Sequence, residues 1–325
     1  MIFEYKIPKL NNKQGIMVIK KKKKLICSFY KFKELEKLNL LKNKLIEICK
    51  KNNISGTIII ANEGINGTVS GTKESTYELQ DFIKKKIDKK VYYKINYSKE
   101  DPFLRLKIKI KPEIVRLGIK NINVNNKTGE FIDPVNWNNF IEREDVLLID
   151  TRNTYESDIG YFKNSISPNT KNFSEFPEWI KKNKKKISKK KIAMYCTGGI
   201  RCEKASSYLI EKGYGDVFQL KGGILNYIDK VDKKKSSWKG ECFVFDERVS
   251  VNHSLEGGKY IQCYACRSAL SKKELDSDHY IKGVSCPKCY FNTSNEQKRS
   301  FKERQKQIDL AKKKGISHLG VKIKS

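Results

Sequence analysis

The sequence predicts a protein of mixed α/β and α+β class, built from two folded domains and a cysteine-rich C-terminal segment. Three observations lead to this prediction. Strand-like and helix-like stretches alternate between about residues 25 and 118, short apolar strands alternate with helices between about 125 and 235, and two Cys-x-x-Cys pairs follow beyond residue 240. The length of 325 residues is sufficient for two or three domains with their own cores. We therefore predict domains at 1–120 and 125–240 and a third segment at 241–325.

The first domain is predicted to be ferredoxin-like, because its elements follow the order βαββαβ. A strand is followed by a helix with leucines at helical spacing, by two strands around the turn at 62–67, and by a second helix for which Thr72 is a candidate N-cap. Two further strands complete the set. The predicted elements are Leu25–Phe32, Glu34–Lys51, Thr57–Ala61, Gly67–Ser70, Lys73–Lys86, Val91–Tyr97 and Leu104–Ile110. Such a sheet can bind RNA or serve only as a scaffold, so the fold alone does not decide the function.

A parallel sheet covered by helices on both faces is predicted for the central domain. The predicted strands are Val146–Ile149, Ile192–Tyr195 and Val217–Leu220. In such sheets the reactive groups gather beyond the carboxyl ends of the strands. Asp150, Arg152, Cys196 and Lys221 occupy these positions. Asp150 and Arg152 could be catalytic, but we expect them to form an ion pair within the domain.

Cys196 is the candidate reactive residue, because it opens a short loop between a buried strand and the helical stretch 203–211. The loop consists of Cys196, Thr197, Gly198, Gly199, Ile200 and Arg201. A thiol there faces backbone N–H groups and the positive end of the helix, both of which favour an anion, and Arg201 adds a permanent positive charge. We predict a lowered pKa and a nucleophilic thiolate, rather than a buried structural cysteine. Cys202 is either a resolving thiol or a packed residue of the first helical turn.

The C-terminal segment carries the pattern of a zinc site. Cys263 and Cys266 form one Cys-x-x-Cys pair, Cys286 and Cys289 form another, and nineteen residues separate the two pairs. Four thiolates leave no open position for water, so the zinc is predicted to be structural and to contribute the folding energy of a segment with little core. The weaker alternative ligands are Cys242, His253 and His279. Residues 295–314 are predicted to form a basic helix or a tail that becomes ordered on binding.

The formal net charge of +31 is the electrostatic signature of a nucleic-acid-binding protein. Lysine supplies most of it, in runs at 20–24 and 181–191 and in a basic stretch at 298–324. A compositional drift toward lysine, asparagine and isoleucine is the alternative, and both can contribute. No apolar run approaches the roughly 20 residues needed to span a membrane, and the N-terminus lacks the layout of a signal peptide. We therefore expect a soluble cytoplasmic protein without a membrane partner, whose nine cysteines stay reduced.

Several stretches make the sequence resemble a known family. The loop from Cys196 to Arg201, preceded by 150–152 and 160–166, resembles that of a rhodanese domain. More narrowly, the chain resembles the tRNA uridine(34) hydroxylase family of rhodanese-domain proteins. The stretches that carry this resemblance are Ala61–Thr68, Arg105–Val115, Cys196–Ser206, Leu220–Leu225 and Cys242–Asp246.

The resemblance implies conversion of the wobble uridine of certain tRNAs to 5-hydroxyuridine, with molecular oxygen as co-substrate and the tRNA anticodon arm as partner. It also implies that Cys196 is the catalytic cysteine, within the loop that Arg201 closes. Only four residues separate Cys196 from Arg201. Related dual-specificity phosphatases have one more, so phosphatase activity is not expected. Tyr161 stands where many rhodaneses have histidine.

The residues alone do not explain how oxygen is activated. None of the three histidines belongs to a recognisable iron site, and no flavin, haem or nicotinamide motif is present. One hypothesis is that Cys196 attacks C6 of the uracil and makes C5 electron-rich. Two other functions stay open: a sulfurtransferase that passes sulfane sulfur through a Cys196 persulfide, and a zinc-stabilised RNA-binding adaptor without catalysis. The sequence does not indicate the oligomeric state.

Overall fold

The computed structural model describes residues 24–120, 122–188 and 190–315. The lysines at 20–23 and the end of the basic stretch at 316–324 therefore lie outside the described residues. Within these three ranges, no helix combines the length and the apolar character needed to cross a membrane.

The first domain is a five-stranded sheet with two helices packed on it. Its elements are β1 (Lys24–Phe32), α1 (Leu38–Lys51), β2 (Ser55–Ala61), β3 (Gly64–Gly71), α2 (Lys73–Lys86), β4 (Tyr92–Ser98) and β5 (Leu106–Ile110). The strand order is β4-β1-β3-β2-β5. The inner strands pair antiparallel, and β5 adds parallel to β2 at the edge. Leu45 and Leu79, from the two helices, and Ile58 and Val69, from the sheet, are completely or almost completely buried. The predicted ferredoxin-like fold is confirmed.

Most predicted boundaries in this domain lie within two residues of the observed ones, but the starts of α1 and β3 are wrong by more. The first helix begins at Leu38 instead of Glu34, because Lys37 adopts a left-handed conformation with φ 48° that helical residues do not share. Strand β3 begins at Gly64 instead of Gly67, so the turn is a tight one. A Cβ atom on Gly64, whose φ is +149°, would lie 2.1 Å from the carbonyl oxygen of Lys31. Glycine at this position therefore permits the close approach of β1 and β3.

The central domain is a parallel sheet between two layers of helices. Its elements are β6 (Glu130–Ile132), α3 (Pro134–Ile141), β7 (Val146–Asp150), α4 (Thr154–Ser157), β8 (Gly160–Phe162), α5 (Phe176–Lys182), α6 (Lys184–Ile187), β9 (Lys191–Tyr195), α7 (Ile200–Glu211), β10 (Val217–Leu220) and α8 (Gly223–Lys230). The strand order is β6-β10-β9-β7, with all pairs parallel. Along β9, Met194 packs in one apolar core with α5 and α7, and Ala193 packs in the other with α3 and α8. This confirms the prediction of helices on both faces.

Asp150 and Arg152 form the expected internal ion pair. The Arg152 side chain is completely buried, and its Nη2 lies 2.6 Å from Oδ2 of Asp150. Arg152 also donates to the carbonyl oxygens of Glu156 and Gly160, at 3.0 and 2.6 Å. These bonds satisfy the buried charge and hold the loop after β7 in place. Their role is therefore structural.

Short elements form the C-terminal segment. They are β11 (Trp238–Gly240), β12 (Cys242–Phe243), β13 (Ser250–Val251), β14 (Ile261–Gln262), β15 (Ala269–Leu270), α9 (Lys272–Leu275) and α10 (Asn295–Lys313). Strand β11 pairs with β8 and so attaches the segment to the central domain. Helix α10 starts at a capping box formed by Ser294 and Gln297. Arg304 ties this helix to the segment by donating to the carbonyl oxygens of Tyr264 and Gly283, both at 2.9 Å.

Candidate active site and metal site

The loop that begins at Cys196 closes around the sulfur of that residue. Gly199 donates its N–H to Sγ at 3.1 Å, and its φ of 98° lets the chain turn directly into α7. Helix α7 therefore begins at Ile200, three residues before the predicted start at Glu203. From the other side, the N–H groups of Ile224 and Leu225 donate to the carbonyl oxygens of Cys196 and Thr197, at 2.9 and 3.1 Å. The start of α8 thus supports the loop.

The surroundings of Cys196 favour its thiolate. Burial raises the pKa of the thiol. The interaction with the Cys202 side chain, the positive charge of Arg201 and the backbone N–H groups of both residues lower it by more than burial raises it. The resulting pKa of Cys196 is about 6 instead of 9.0. Cys202 behaves oppositely: it is fully buried, and burial together with the neighbouring thiolate raises its pKa well above the ordinary value. Cys202 is thus a protonated thiol in a packed position, with its Sγ 3.4 Å from Oγ1 of Thr151.

Arg201 is not free to bind an anion on its own. Its Nη1 and Nη2 donate to the two carboxylate oxygens of Glu156 at 2.7 and 2.6 Å, and Glu156 is completely buried. This bidentate pair compensates the guanidinium charge that the sequence analysis assigned to the loop. Glu156 was not identified from the sequence. The spacing of Asn153 and Glu156 indicates a helix start, and the two do form a capping box, but that pattern says nothing about an arginine 45 residues away.

A cavity of about 670 Å³ lies above the loop and between the two domains. Of the predicted loop residues, Gly199 does not line this cavity, whereas Cys196, Thr197, Gly198, Ile200 and Arg201 do. The opposite wall comes from the sheet of the first domain and includes Tyr30, Thr57, Asn66, Thr68 and Tyr92. Arg116, from the linker, and Phe245, from the C-terminal segment, also line it. The first domain is therefore part of the site, which the sequence analysis did not predict.

Tyr30 links the sheet of the first domain to the helix that follows the reactive loop. Its hydroxyl donates to Oε2 of Glu203 at 2.9 Å. It also lies 3.1 Å from the position that a Cβ atom on Gly199 would take. Burial and the neighbouring Glu203 raise the pKa of Tyr30 well above its usual value. Tyr30 is therefore a neutral hydroxyl at the wall of the cavity.

Lys204 connects three parts of the chain at the same interface. Its Nζ lies 2.7 Å from Oε2 of Glu63, in the turn between β2 and β3, and 2.6 Å from Oε2 of Glu113, in the linker. It also donates to the carbonyl oxygen of Val115 at 3.1 Å. The Lys204 side chain is 1% exposed, and the two glutamate side chains are 22% and 19% exposed. A cation on α7 thus holds the first domain against the central domain.

We expect Cys196 to be alkylated rapidly at neutral pH. Because its pKa is about 6, the rate constant for iodoacetamide should rise between pH 5 and 7 and then level off. Peptide mapping by mass spectrometry would follow each cysteine separately. Cys27 and Cys49, with pKa values raised by burial to about 12, are internal controls that should stay slow throughout. A Cys196 rate that keeps rising up to pH 9 would contradict the lowered pKa.

The four predicted ligand cysteines come together. The sulfurs of Cys263, Cys266, Cys286 and Cys289 all lie within 4.8 Å of one another. Three measured pairs are 3.7 to 4.0 Å apart. A tetrahedral zinc ion with Zn–S bonds of about 2.3 Å requires sulfurs about 3.8 Å apart, so the group fits this ion. Cys242, His253 and His279, the weaker alternatives, do not belong to the group. The four-cysteine group could therefore hold a metal ion, and we propose that the ion is structural zinc.

We expect one zinc ion per chain in metal analysis of freshly purified protein. Cys286→Ser should lose it, because three thiolates bind zinc more weakly and the segment has only a small apolar core. Limited proteolysis should then cut within residues 241–315 while the central domain stays protected. Cys49→Ala, in the core of the first domain, is the matched cysteine control and should keep its zinc. Zinc-free wild-type protein with a protease-resistant C-terminal segment would refute a structural zinc site.

Two family models match the chain. Residues 25–114 match the UPF0176 acylphosphatase-like domain, and residues 135–230 match the rhodanese-like domain. The predicted boundaries at 120, 125 and 240 stay predictions. Among solved structures, the chain is similar to a rhodanese-related protein from Thermoplasma volcanium, with 22% identity over 31% of this chain and 92% of the other and a TM-score of 0.25. It is also similar to a rhodanese-like domain protein from Staphylococcus aureus, with 22% identity over 33% of this chain and 96% of the other and a TM-score of 0.27.

Proposed function

The chain has the domain architecture of the tRNA uridine(34) hydroxylase (UPF0176) family, and from this premise we propose that it hydroxylates the wobble uridine of tRNA. The proposed product is 5-hydroxyuridine, and molecular oxygen is the proposed co-substrate. The observation that best supports the proposal is the placement of the Cys196 thiolate on the floor of a cavity that both domains build. Its volume of about 670 Å³ lies in the usual range for sites that enclose a small molecule or a nucleobase.

The chemistry assigned to Cys196 is addition to C6 of the uracil ring. The thiolate forms a C6–S bond, and the electron pair of the C5–C6 double bond moves to C5 and O4. C5, which is only weakly nucleophilic in free uridine, becomes an enolate carbon that can bond to one oxygen atom of O₂. The other oxygen atom leaves as water, with two electrons from an external reductant and two protons. Loss of the C5 proton and cleavage of the C6–S bond then restore the ring. A low pKa suits this step because the sulfur must both attack and leave near neutral pH.

The charge pattern of the cavity favours a neutral base over a small dianion at the sulfur. Arg201, the cation nearest to Cys196, is already occupied by the buried Glu156. Arg116 also lines the cavity, is exposed, and takes part in no salt bridge among the described residues. We assign to it the phosphate of the nucleotide whose base enters the cavity.

An RNA partner is supported by features of the C-terminal segment. Phe291 is 79% exposed and lies beside the stacked rings of His279 and Tyr290. Lys298 of α10 lies 3.9 Å above the Tyr290 ring. Across the described part of the chain, no salt bridge uses a basic side chain of α10. Apart from Arg304, which donates to two carbonyl oxygens, these charges are available to phosphates. Exposed aromatic rings beside free cations are suited to unpaired bases such as those of an anticodon loop.

Mass spectrometry of tRNA nucleosides tests the proposed function. Cells that lack this activity would be complemented with the wild-type chain or with Cys196→Ser, at matched expression. The proposal expects 5-hydroxyuridine at position 34 with the wild type and none with the variant. A wild-type chain that restores no 5-hydroxyuridine would contradict it.

Sulfur transfer is the second candidate, because a thiolate in a rhodanese-like domain can also carry sulfane sulfur. In that case purified protein would form thiocyanate from thiosulfate and cyanide, and Cys196→Ser would abolish the reaction. We expect this activity to be weak, since thiosulfate would have to bind beside a guanidinium that Glu156 already occupies. Salt-sensitive tRNA binding that persists without Cys196, with no modified nucleoside, would instead support the RNA-binding adaptor.

A further inference from the structure

The Tyr30 hydroxyl lies at the wall of the cavity and contacts the carboxyl group of Glu203. Tyr30 lines the cavity together with Cys196, whereas Glu203 is not among the described residues that line it. The Tyr30 hydroxyl donates to Oε2 of Glu203 at 2.9 Å, across a sequence separation of 173 residues. This hydroxyl is therefore a hydrogen-bonded link between Glu203 and a molecule in the cavity.

Glu203 is suited to holding a proton. Within the described residues, no lysine or arginine forms a salt bridge with it, although the carboxyl group is mostly buried. The groups that face it are Tyr30 and Lys31 from β1 and the Cys196 thiolate from the reactive loop. Burial raises the pKa of Glu203 and outweighs the hydrogen bond from Tyr30 and the charge of Lys31, which lower it, while the Cys196 thiolate raises it by the smallest amount. When Glu203 is protonated, it can donate to the phenolic oxygen and release the Tyr30 proton toward the cavity.

We propose that Tyr30 is a catalytic residue that transfers the proton at C5 of the base bound over Cys196, and that Glu203 is the positioning residue that supplies and takes back this proton. The inference rests on the proposed function, since it requires a pyrimidine base in the cavity. It also gives a physical reason for the first domain to be part of the site: β1 carries the hydroxyl.

The step balances without an oxidant. Cys196 adds to C6, and the ring enolate that results takes the Tyr30 proton at C5 while the Glu203 proton moves to the Tyr30 oxygen. In the reverse direction C5 loses a proton to Tyr30, Glu203 is protonated again and the C6–S bond breaks. In D₂O the hydrogen added to C5 is a deuteron, and loss of the original hydrogen in place of this deuteron leaves deuterium at C5 of uridine 34 with the base otherwise unchanged. Oxygen would intercept the same enolate in the complete reaction.

Hydrogen–deuterium exchange at C5 of uridine 34, under anaerobic conditions, tests the proposal. After nuclease digestion, mass spectrometry would measure a gain of one mass unit. We expect exchange by the wild type to rise as Cys196 loses its proton, near pH 6. Because burial raises the pKa of Glu203, its carboxyl group holds a proton at higher pH than an ordinary glutamate does.

Tyr30→Phe should reduce the exchange rate at every pH by about 10²-fold or more, the usual contribution of a positioned acid or base. Glu203→Gln should also lower the exchange rate, because the amide cannot supply a proton. In both variants the alkylation rate of Cys196 should stay close to that of the wild type, which shows that the loop is intact. Tyr93→Phe is the matched control, since its hydroxyl donates to the carbonyl oxygen of Gln80 and does not line the cavity.

Two results would overturn the proposal, and they are distinguishable from failure of the proposed function. The first is a wild-type exchange rate in Tyr30→Phe, and the second is a wild-type exchange rate in Glu203→Gln. In both cases the wild type still exchanges, so thiolate addition to the base stands and only the proton path is wrong. No exchange by the wild type, together with no 5-hydroxyuridine in cells, would instead refute the proposed function.

Discussion

Cys196→Ser should abolish both hydroxylation and C5 exchange, with a loss of about 10³-fold or more. A serine hydroxyl stays protonated near neutral pH, so the environment that lowers the pKa of the thiol to about 6 cannot turn the side chain into a nucleophile. The fold should be unaffected, because the two side chains differ only in one atom, an oxygen that is slightly smaller than the sulfur. The serine Oγ can still accept the hydrogen bond from the Gly199 N–H.

The measurements are the 5-hydroxyuridine content of tRNA and the anaerobic exchange rate, with the affinity for tRNA as a control. Affinity should change little, because Cys196 contributes one atom to the wall of the cavity. Cys49→Ala is the matched variant: this cysteine is buried in the core of the first domain and should be dispensable for both reactions. Full hydroxylation by Cys196→Ser would show that the sulfur is not the nucleophile, whatever else the loop does.

The parts of the site that the sequence predicted are local in the chain. Cys196 was identified because a buried strand, two glycines and an arginine lie within a few residues of it. The metal ligands were identified because Cys263 and Cys266, and again Cys286 and Cys289, occur at a spacing that zinc sites require. In both cases the short stretch of chain restricts where the side chains can point, so the spacing of the residues is enough to predict the site.

The partners of these residues are distant in the chain, and this is why the sequence did not reveal them. Glu156 pairs with Arg201 across 45 residues, and Tyr30 contacts Glu203 across 173. No periodicity connects such positions. Glu156 and Arg201 meet through the fold of the central domain, and Tyr30 and Glu203 meet because the first domain docks on α7. The same docking makes the cavity, so its second wall could not be deduced before the two domains were placed together.

A charged side chain that was not predicted from the sequence, Lys204, lies at the contact between the two domains. Lys204 lies inside one of the stretches that resemble the tRNA uridine(34) hydroxylase family, Glu63 inside a second and Glu113 inside a third. In the structure these three stretches meet at the Lys204 ammonium group. Their distant positions in the sequence thus correspond to one contact, which joins the domain that carries Tyr30 to the helix that follows the Cys196 loop.

Lys204→Met should therefore destabilise the protein by about 3 kcal/mol and lower its activity at the same time. Removing the cation leaves two partly buried carboxylates facing each other without compensation, and breaking a buried ion pair in this way usually costs about 3–5 kcal/mol. The first transition in urea unfolding should shift to lower concentration. The Michaelis constant for tRNA should rise as the walls of the cavity separate, while the alkylation rate of Cys196 should stay the same.

A matched surface variant and a rescue distinguish the contact of Lys204 with Glu63 and Glu113 from an ordinary surface salt bridge. Lys182→Met removes the exposed contact of Lys182 with Glu178, where the side chains are 73% and 61% exposed, and should cost less than about 1 kcal/mol. In a Glu63→Gln and Glu113→Gln background, Lys204→Met should cost much less than in the wild type, because no unpaired carboxylate remains. If Lys204→Met were as mild as Lys182→Met, the two domains would be held together by apolar packing, and the lysine would be dispensable for building the cavity.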